Sequence, residues 1–288
     1  MQFGTTFSSP YLRDYFKLSV SEAFLELLKL EFAYLRLGCY WADSEKTPRM
    51  LDFAELERLL ELASKAGQKI ILTLGMKAPR WPEFWVPHWT RAESVIASPE
   101  PALKFIDSAV NRLGKYPAVS YWQVENEPLD QSGPQKLVLP ISLLEQEVAL
   151  VRSANSKPIL LTLWGNRTLR DSRLQKLTSL ADVVGIDLYY QIPNGQGGFW
   201  GPSDSLDSLK KIVQNQPKPI WITELQTNPW KKSLRFNHLE IIRENWERAL
   251  ALKVPLTLLW GFEYWFALLK KGDSTIYEFV RNKLALSR

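Results

Sequence analysis

One cysteine, Cys39, and two histidines, His88 and His238, are all that this chain offers for thiol or imidazole chemistry. A lone cysteine excludes an intramolecular disulfide, a cysteine-based zinc site and a dithiol redox pair. Two histidines exclude a histidine-rich metal centre and leave little from which to build a Ser-His-Asp triad. The sequence has no G-x-S-x-G, no Walker loop and no G-x-G-x-x-G fingerprint, so no nucleotide, cofactor or metal is expected. No run of about 20 apolar residues occurs, so no membrane-spanning helix is expected. The first residues, Met1-Gln2-Phe3-Gly4-Thr5, lack a basic region followed by an apolar stretch. A cytoplasmic location follows as the expectation, or secretion with the leader already removed. Charge of one sign is also missing: the net charge of +5 is spread among both signs, with no block of five like charges. A mixed, solvated surface with no nucleic-acid partner is the expectation.

What is present is a repeated alternation of strand and helix. Lys69–Leu74, Pro158–Trp164 and Asp182–Tyr189 are short, almost wholly apolar runs, as expected of parallel strands covered on both faces. Gln2–Phe7, Phe32–Leu37, Val119–Val124, Pro219–Leu225 and Leu256–Trp260 complete the strand set. Between them lie helical patterns over Ser21–Leu30, Asp52–Gly67, Pro101–Leu113, Ser142–Arg152, Arg170–Leu177, 205–214, Asn237–Leu252 and Thr275–Leu284. Asp52 with Glu55, and Ser142 with Glu145, have the spacing of capping boxes. Eight units in strict alternation, with no linker or change of composition between them, point to an α/β protein. The chain is expected to form a single (β/α)₈ TIM barrel, one domain over 1–288. A doubly wound open sheet is the competing arrangement.

In such a barrel the reactive groups sit where strands end. The fourth strand ends in Trp122-Gln123-Val124-Glu125-Asn126-Glu127-Pro128, and Pro128 is expected to hold Glu127 extended. The seventh ends in Ile222-Thr223-Glu224-Leu225. Two carboxylates thus reach one face from different strands, the arrangement that retaining glycoside hydrolysis requires. Glu125 is assigned to the opposite side of its strand, with a structural role.

Asn126-Glu127-Pro128 on the fourth strand together with Thr223-Glu224 on the seventh resembles clan A of the retaining glycoside hydrolases, which includes cellulases, mannanases, β-galactosidases and β-glucosidases. Leu35-Arg36-Leu37-Gly38-Cys39-Tyr40-Trp41 is similar to the second unit of the clan's β-galactosidase-like members. The resemblance implies Glu127 as general acid/base and Glu224 as nucleophile. It also implies Arg36 and Tyr189, or the adjacent Tyr190, as donors to the nucleophile. Asn126 would be the ligand of the sugar 2-hydroxyl, and Trp260 or Trp265 the floor beneath the sugar. Tyr121, Trp122 or loop aromatics are expected to supply the apolar wall that a proton donor needs.

Twelve tryptophans are many for this length. About half are expected in the core, and those in loops fit as platforms for a carbohydrate. By position alone, Trp81, Glu83, Trp164, Asn166, Gln226, Trp230 and Glu263 are further candidates for subsite walls. Glu83 and Glu263 could instead pair with Arg80 or a surface lysine. The expected partner is a carbohydrate, with no membrane, and a monomer or weak homo-oligomer. A transglycosylase using the same residues and a carbohydrate-binding barrel without hydrolysis are the competing functions.

Overall fold

The computed structural model describes residues 1–170, 172–194, 198–228 and 238–287. Its strands are β1 (Gln2–Phe7), β2 (Tyr34–Gly38), β3 (Lys69–Leu74), β4 (Val119–Val124), β5 (Ile159–Trp164), β6 (Val183–Leu188), β7 (Ile220–Gln226) and β8 (Leu256–Trp260). They close into one all-parallel barrel in which each strand lies beside its neighbours in sequence and β8 returns to β1. The helices are α1 (Val20–Leu28), α2 (Ala54–Lys65), α3 (Glu100–Leu113), α4 (Ile141–Ala154), α5 (Ser172–Leu180), α6 (Leu206–Gln214), α7 (His238–Leu252) and α8 (Thr275–Ala285). The expected (β/α)₈ barrel is therefore the fold. Five additions were not legible: a π-helical turn at Tyr11–Phe16 after β1, a short helix at Trp41–Ser44 after β2, Ala92–Ala97 inside the third loop, Phe262–Lys270 before α8, and a two-residue ribbon pairing Ile192 with Trp200 after β6.

Helix starts differ from expectation where side chains found other partners. Ser19 and Ser205 cap α1 and α6 through the amides of Glu22 and Ser208. Neither predicted capping box forms. Asp52 accepts from the Ala54 amide, but Glu55 pairs with Arg13. Ser142 lies inside α4, whose first residue follows Pro140, and no side chain caps it.

The period of two along each strand divides the side chains between an outer shell against the helices and the barrel interior. Outward residues form the large apolar core with the helices. Inside, the N-terminal end is filled by Ile71, Leu160, Val183, Trp221, Leu256 and Leu258, with Tyr34 and Tyr121 packed against them. One step of two residues higher, the same strands present Arg36, Gln123, Thr162 and Thr223, all fully buried. The interior thus changes from apolar to polar within about 7 Å of strand. That polar layer is the base of the site.

Candidate active site

Glu224 reaches the interior through an irregularity. Thr223 and Glu224 are consecutive and would ordinarily face opposite ways. The pairing of β7 slips against both β6 and β8 at this point, however. A slip of one residue re-aims a side chain, and both side chains enter the barrel. Arg36 Nη2 donates to Glu224 Oε1 at 2.5 Å, and the Tyr189 hydroxyl donates to Oε2. Arg36 is itself oriented by Thr6 Oγ1 at 2.9 Å and Gln123 Oε1 at 3.4 Å. Burial first, and the Glu224 charge second, push the Tyr189 hydroxyl well above its ordinary range, so it remains a donor. Tyr190 does not share this role. Its ring lies beside the Arg248 guanidinium, 4.6 Å from the centroid, and its hydroxyl is buried without a partner among the described residues.

The Arg36–Glu224 pair is almost completely enclosed, with side-chain exposures of 0% and 5%. Removing one member of a buried pair leaves the other charge uncompensated, which costs about 3–5 kcal/mol. Arg36→Met is accordingly expected to lose about that much unfolding free energy in urea denaturation. A loss no larger than that of a surface substitution would show the pair to be dispensable.

Glu127 is not extended before Pro128 as expected. It has φ +46°, and Glu125 has φ +58°, both in the left-handed region. Such backbone costs about 1–2 kcal/mol per residue and persists only where tertiary contacts hold it. Here the Glu127 amide donates to Thr162 Oγ1 at 2.9 Å, and Lys77 Nζ donates to the Glu127 carbonyl at 2.6 Å. The Glu127 carboxyl is held well above the carboxylate range, by burial first and then by the charges of Asp187, Glu224 and Glu83, with Lys77 opposing. The expected aromatic wall is corrected. Tyr121 belongs to the apolar floor of the barrel, and Trp122 points outward, its indole donating to Asn155 at 3.2 Å.

Glu125 turns away from the interior. It accepts from the amides of Met76 at 2.7 Å and Lys77 at 2.5 Å, tying the exit of β3 to that of β4. A Cβ on Gly75, which has φ +112°, would overlap this carboxyl. Behind it stands Glu147 of α4, also fully buried, with no donor to either of its oxygens among the described residues and with the Glu125 charge acting on it. Two buried carboxyls that act on each other hold a proton between them. Burial is the first cause that lifts Glu125 to about 7 and Glu147 well above its ordinary value. A carboxyl whose folded value exceeds the unfolded one, about 4.3, binds more protons when folded. Its stabilising effect is present below that unfolded value and is lost as pH rises through the folded one. Unfolding free energy is expected to fall from pH 5 through pH 8. Glu147→Gln, which supplies an amide donor to Glu125 without a titrating proton, is expected to flatten that fall. Parallel pH–stability curves for the two proteins would refute it.

The remaining candidates divide sharply. Asn126 is buried, accepts from Gln123 Nε2 at 3.1 Å and bonds the Glu83 side chain. Burial first, then the Glu224 charge, pushes Glu83 up to about 7, and its Oε2 is buried without a partner. Trp260 stands at the mouth, but the Arg80 guanidinium lies 3.5 Å from its ring centroid, so one face of the expected floor is covered. Trp81 is exposed on the rim, and Trp164 is half-buried at the end of β5. Three candidates, Trp265, Asn166 and Gln226, are corrected to structural roles, and a fourth, Glu263, takes its expected alternative, the pairing with Arg80. Glu263 accepts from the Ser8 amide at 2.6 Å and pairs with Arg80, both fully or nearly buried. Trp265 is fully buried, its indole donating to the Thr227 carbonyl at 2.8 Å. Asn166 spends both ends of its amide on the Tyr189 backbone. Gln226 does the same with Gln191, accepting from its amide at 2.9 Å and donating to its carbonyl at 3.1 Å. Trp230 lies outside the described residues. Asp187 and Lys77 were missed. Asp187 is an ionisable residue inside an apolar strand, two positions before Tyr189 and so on the same face. Lys77 follows the end of β3. Those positions were the available signals.

Among the described residues no cluster of His, Cys, Asp and Glu is placed to hold a metal ion, and no helix is long and apolar enough to cross a membrane. No family model and no curated protein matches the chain. Solved structures do. A GH5_18 protein from Bifidobacterium longum subsp. longum ATCC 55813 superposes with TM-score 0.70 at 14% identity, over 100% of this chain and 79% of that one. An endo-1,4-β-D-mannanase from Thermotoga petrophila RKU-1 gives 0.63 at 15% identity, over 90% and 87%. A β-galactosidase from Marinomonas ef1 gives 0.61 at 15% identity, and there the chain spans 54% of the other's length. At such identities the likeness is one of fold, and at that level the resemblance to clan A holds.

Proposed function

We propose that the protein is a retaining β-glycoside hydrolase working through Glu127 and Glu224. The observation that carries this is the opposite preparation of two carboxyls at one barrel mouth. Glu224 accepts from the Arg36 guanidinium and the Tyr189 hydroxyl, whereas the Glu127 carboxyl is held well above the carboxylate range by burial and by neighbouring negative charge. A pair of carboxyls with environments pushed apart is the signature of acid and nucleophile assignments. In the first step the Glu127 proton passes to the glycosidic oxygen as that bond breaks, and Glu224 bonds to the anomeric carbon. In the second, water gives a proton to Glu127 while its oxygen replaces Glu224. Lys77 holds the Glu127 backbone in place, and Arg36 with Tyr189 aims the nucleophile. The solved structures above, described as a β-galactosidase and a mannanase, favour a β-linked carbohydrate substrate.

The test is a panel of aryl β-glucoside, galactoside, mannoside, xyloside and fucoside, with β-glucans and β-mannans beside them. The product of the best substrate is followed by proton NMR. The β-anomer is expected first, turning into the equilibrium mixture by mutarotation. Initial release of the α-anomer would replace this mechanism with an inverting one, and silence across the whole panel would remove the function.

A further inference from the structure

Asp187 is fully buried near the C-terminal end of β6, opposite Glu224 in the strand register, and the two-step mechanism above assigns it nothing. One oxygen, Oδ1, accepts from Thr223 Oγ1 at 2.6 Å. The other oxygen has no hydrogen-bond partner among the described residues, and the Glu127 carboxyl is one of the acid groups that face this side chain. Glu224, Glu127 and Tyr189 face Asp187 together with one cation, Arg36, which is already joined to Glu224. Glu127 is faced by Asp187, Glu224 and Glu83, with the Lys77 ammonium opposing them. Gly185, two residues earlier on the same face, leaves the room that Thr223 occupies, since a Cβ there would overlap its hydroxyl. Thr223 is thereby held toward Asp187.

Resting on the glycosidase reading, we propose that Asp187 is a positioning residue that governs the proton on Glu127 in both half-reactions. Two buried carboxyls that face each other hold one proton, because both cannot ionise cheaply. Burial first, and then the Glu224 charge, lift Asp187, as burial and neighbouring charge lift Glu127. The Thr223 donor, however, favours the charged form of Asp187, which tips the shared proton toward Glu127, where the leaving group can take it. After that transfer Glu127 is a carboxylate beside another carboxylate. Their repulsion makes Glu127 a stronger base, and the proton it then removes from water restores the starting state. Asp187 neither gains nor loses a proton over the cycle.

Asp187→Asn keeps shape and hydrogen bonding while deleting the charge. The alkaline limb of kcat/KM is expected to move to lower pH by about one unit or more. A ¹³C-carboxyl NMR titration of Glu127, assigned by the signal lost in Glu127→Gln, is expected to move the same way. Thr223→Val, which keeps the Asp187 carboxyl but removes its donor, moves the shared proton toward Asp187. It should therefore lower the kcat/KM plateau and shrink the Glu127 titration step without moving the limb to lower pH, and it serves if Asp187→Asn fails to fold. A limb and a titration unchanged from wild type would overturn the proposal. The NMR titration needs no substrate. If wild type hydrolyses no β-glycoside, the proposed function fails, and the carboxyl pairing is still decided by that titration.

Discussion

Glu224→Gln is expected to lower kcat/KM by about 10⁵- to 10⁶-fold, the scale on which enzymes lose activity when a covalent nucleophile is removed. The amide keeps the size of the side chain and can still accept from Arg36, but it cannot form the glycosyl intermediate. Because Arg36 then lacks a counter-charge, circular dichroism and urea denaturation must first establish that the variant is folded. The sharper form of the experiment is Glu224→Ala with added azide. The shortened side chain opens the face from which the nucleophile attacks, so azide entering there should give the α-glycosyl azide from an activated β-glycoside. Recovery of the β-azide from this variant would exchange the two roles. Activity equal to wild type would take Glu224 out of the reaction.

Glu127→Ala has a different signature. General acid catalysis contributes about 10²- to 10⁴-fold, and the loss should reach that scale only where the leaving group needs a proton. A dinitrophenyl β-glycoside leaves unaided, so its first step should survive. The second step then lacks its base, and a burst of phenolate followed by slow turnover is the expected trace. Azide should now give the β-glycosyl azide, because it attacks the intermediate from the side Glu127 had occupied. A uniform loss across leaving groups, with no burst, would contradict the acid/base role. The burial and the charges of Asp187, Glu224 and Glu83 that lift Glu127 also set the alkaline limit of the wild-type profile. Activity is expected to fall as pH rises through the raised value, and this limb should be missing from the variant.

Both glutamates were legible because each follows an apolar strand in a chain of eight such units, and strand ends are where a barrel exposes its reactive groups. Arg36 stood out as the one charge in its apolar strand, which has no comfortable place except opposite another charge, and its partner, Glu224, came from the resemblance. Asp187 obeys the same logic and was passed over because Tyr189 beside it had drawn the assignment. Asn166 and Gln226 were assigned to subsite walls on position alone and Trp265 through the resemblance, whereas Glu263 takes its expected alternative, the pairing with Arg80. Each lies near the mouth, yet its polar atoms are taken up by protein partners such as Arg80, Thr227, Tyr189 and Gln191. Nearness to a strand end does not say whether a side chain is free.

Alternation of apolar runs by itself determined an α/β protein of parallel strands and the two strands that carry the carboxyls, since these depend only on local periodicity and chain order. Closure of the last strand onto the first, which separates the barrel from an open sheet, was decided by the tertiary structure. The tertiary structure decided where those carboxyls point and what charge they hold. A strict period of two would set Thr223 inward and Glu224 outward, and would leave Glu125 on the same face as Glu127. The slip in β7 and the left-handed residues in the exit of β4 reverse both outcomes. Those departures are held by Arg36, Thr162, Lys77 and Glu147, drawn from four separate strand and helix units. Charge state follows the same rule, because burial and the distances to other charges are set only when the barrel closes.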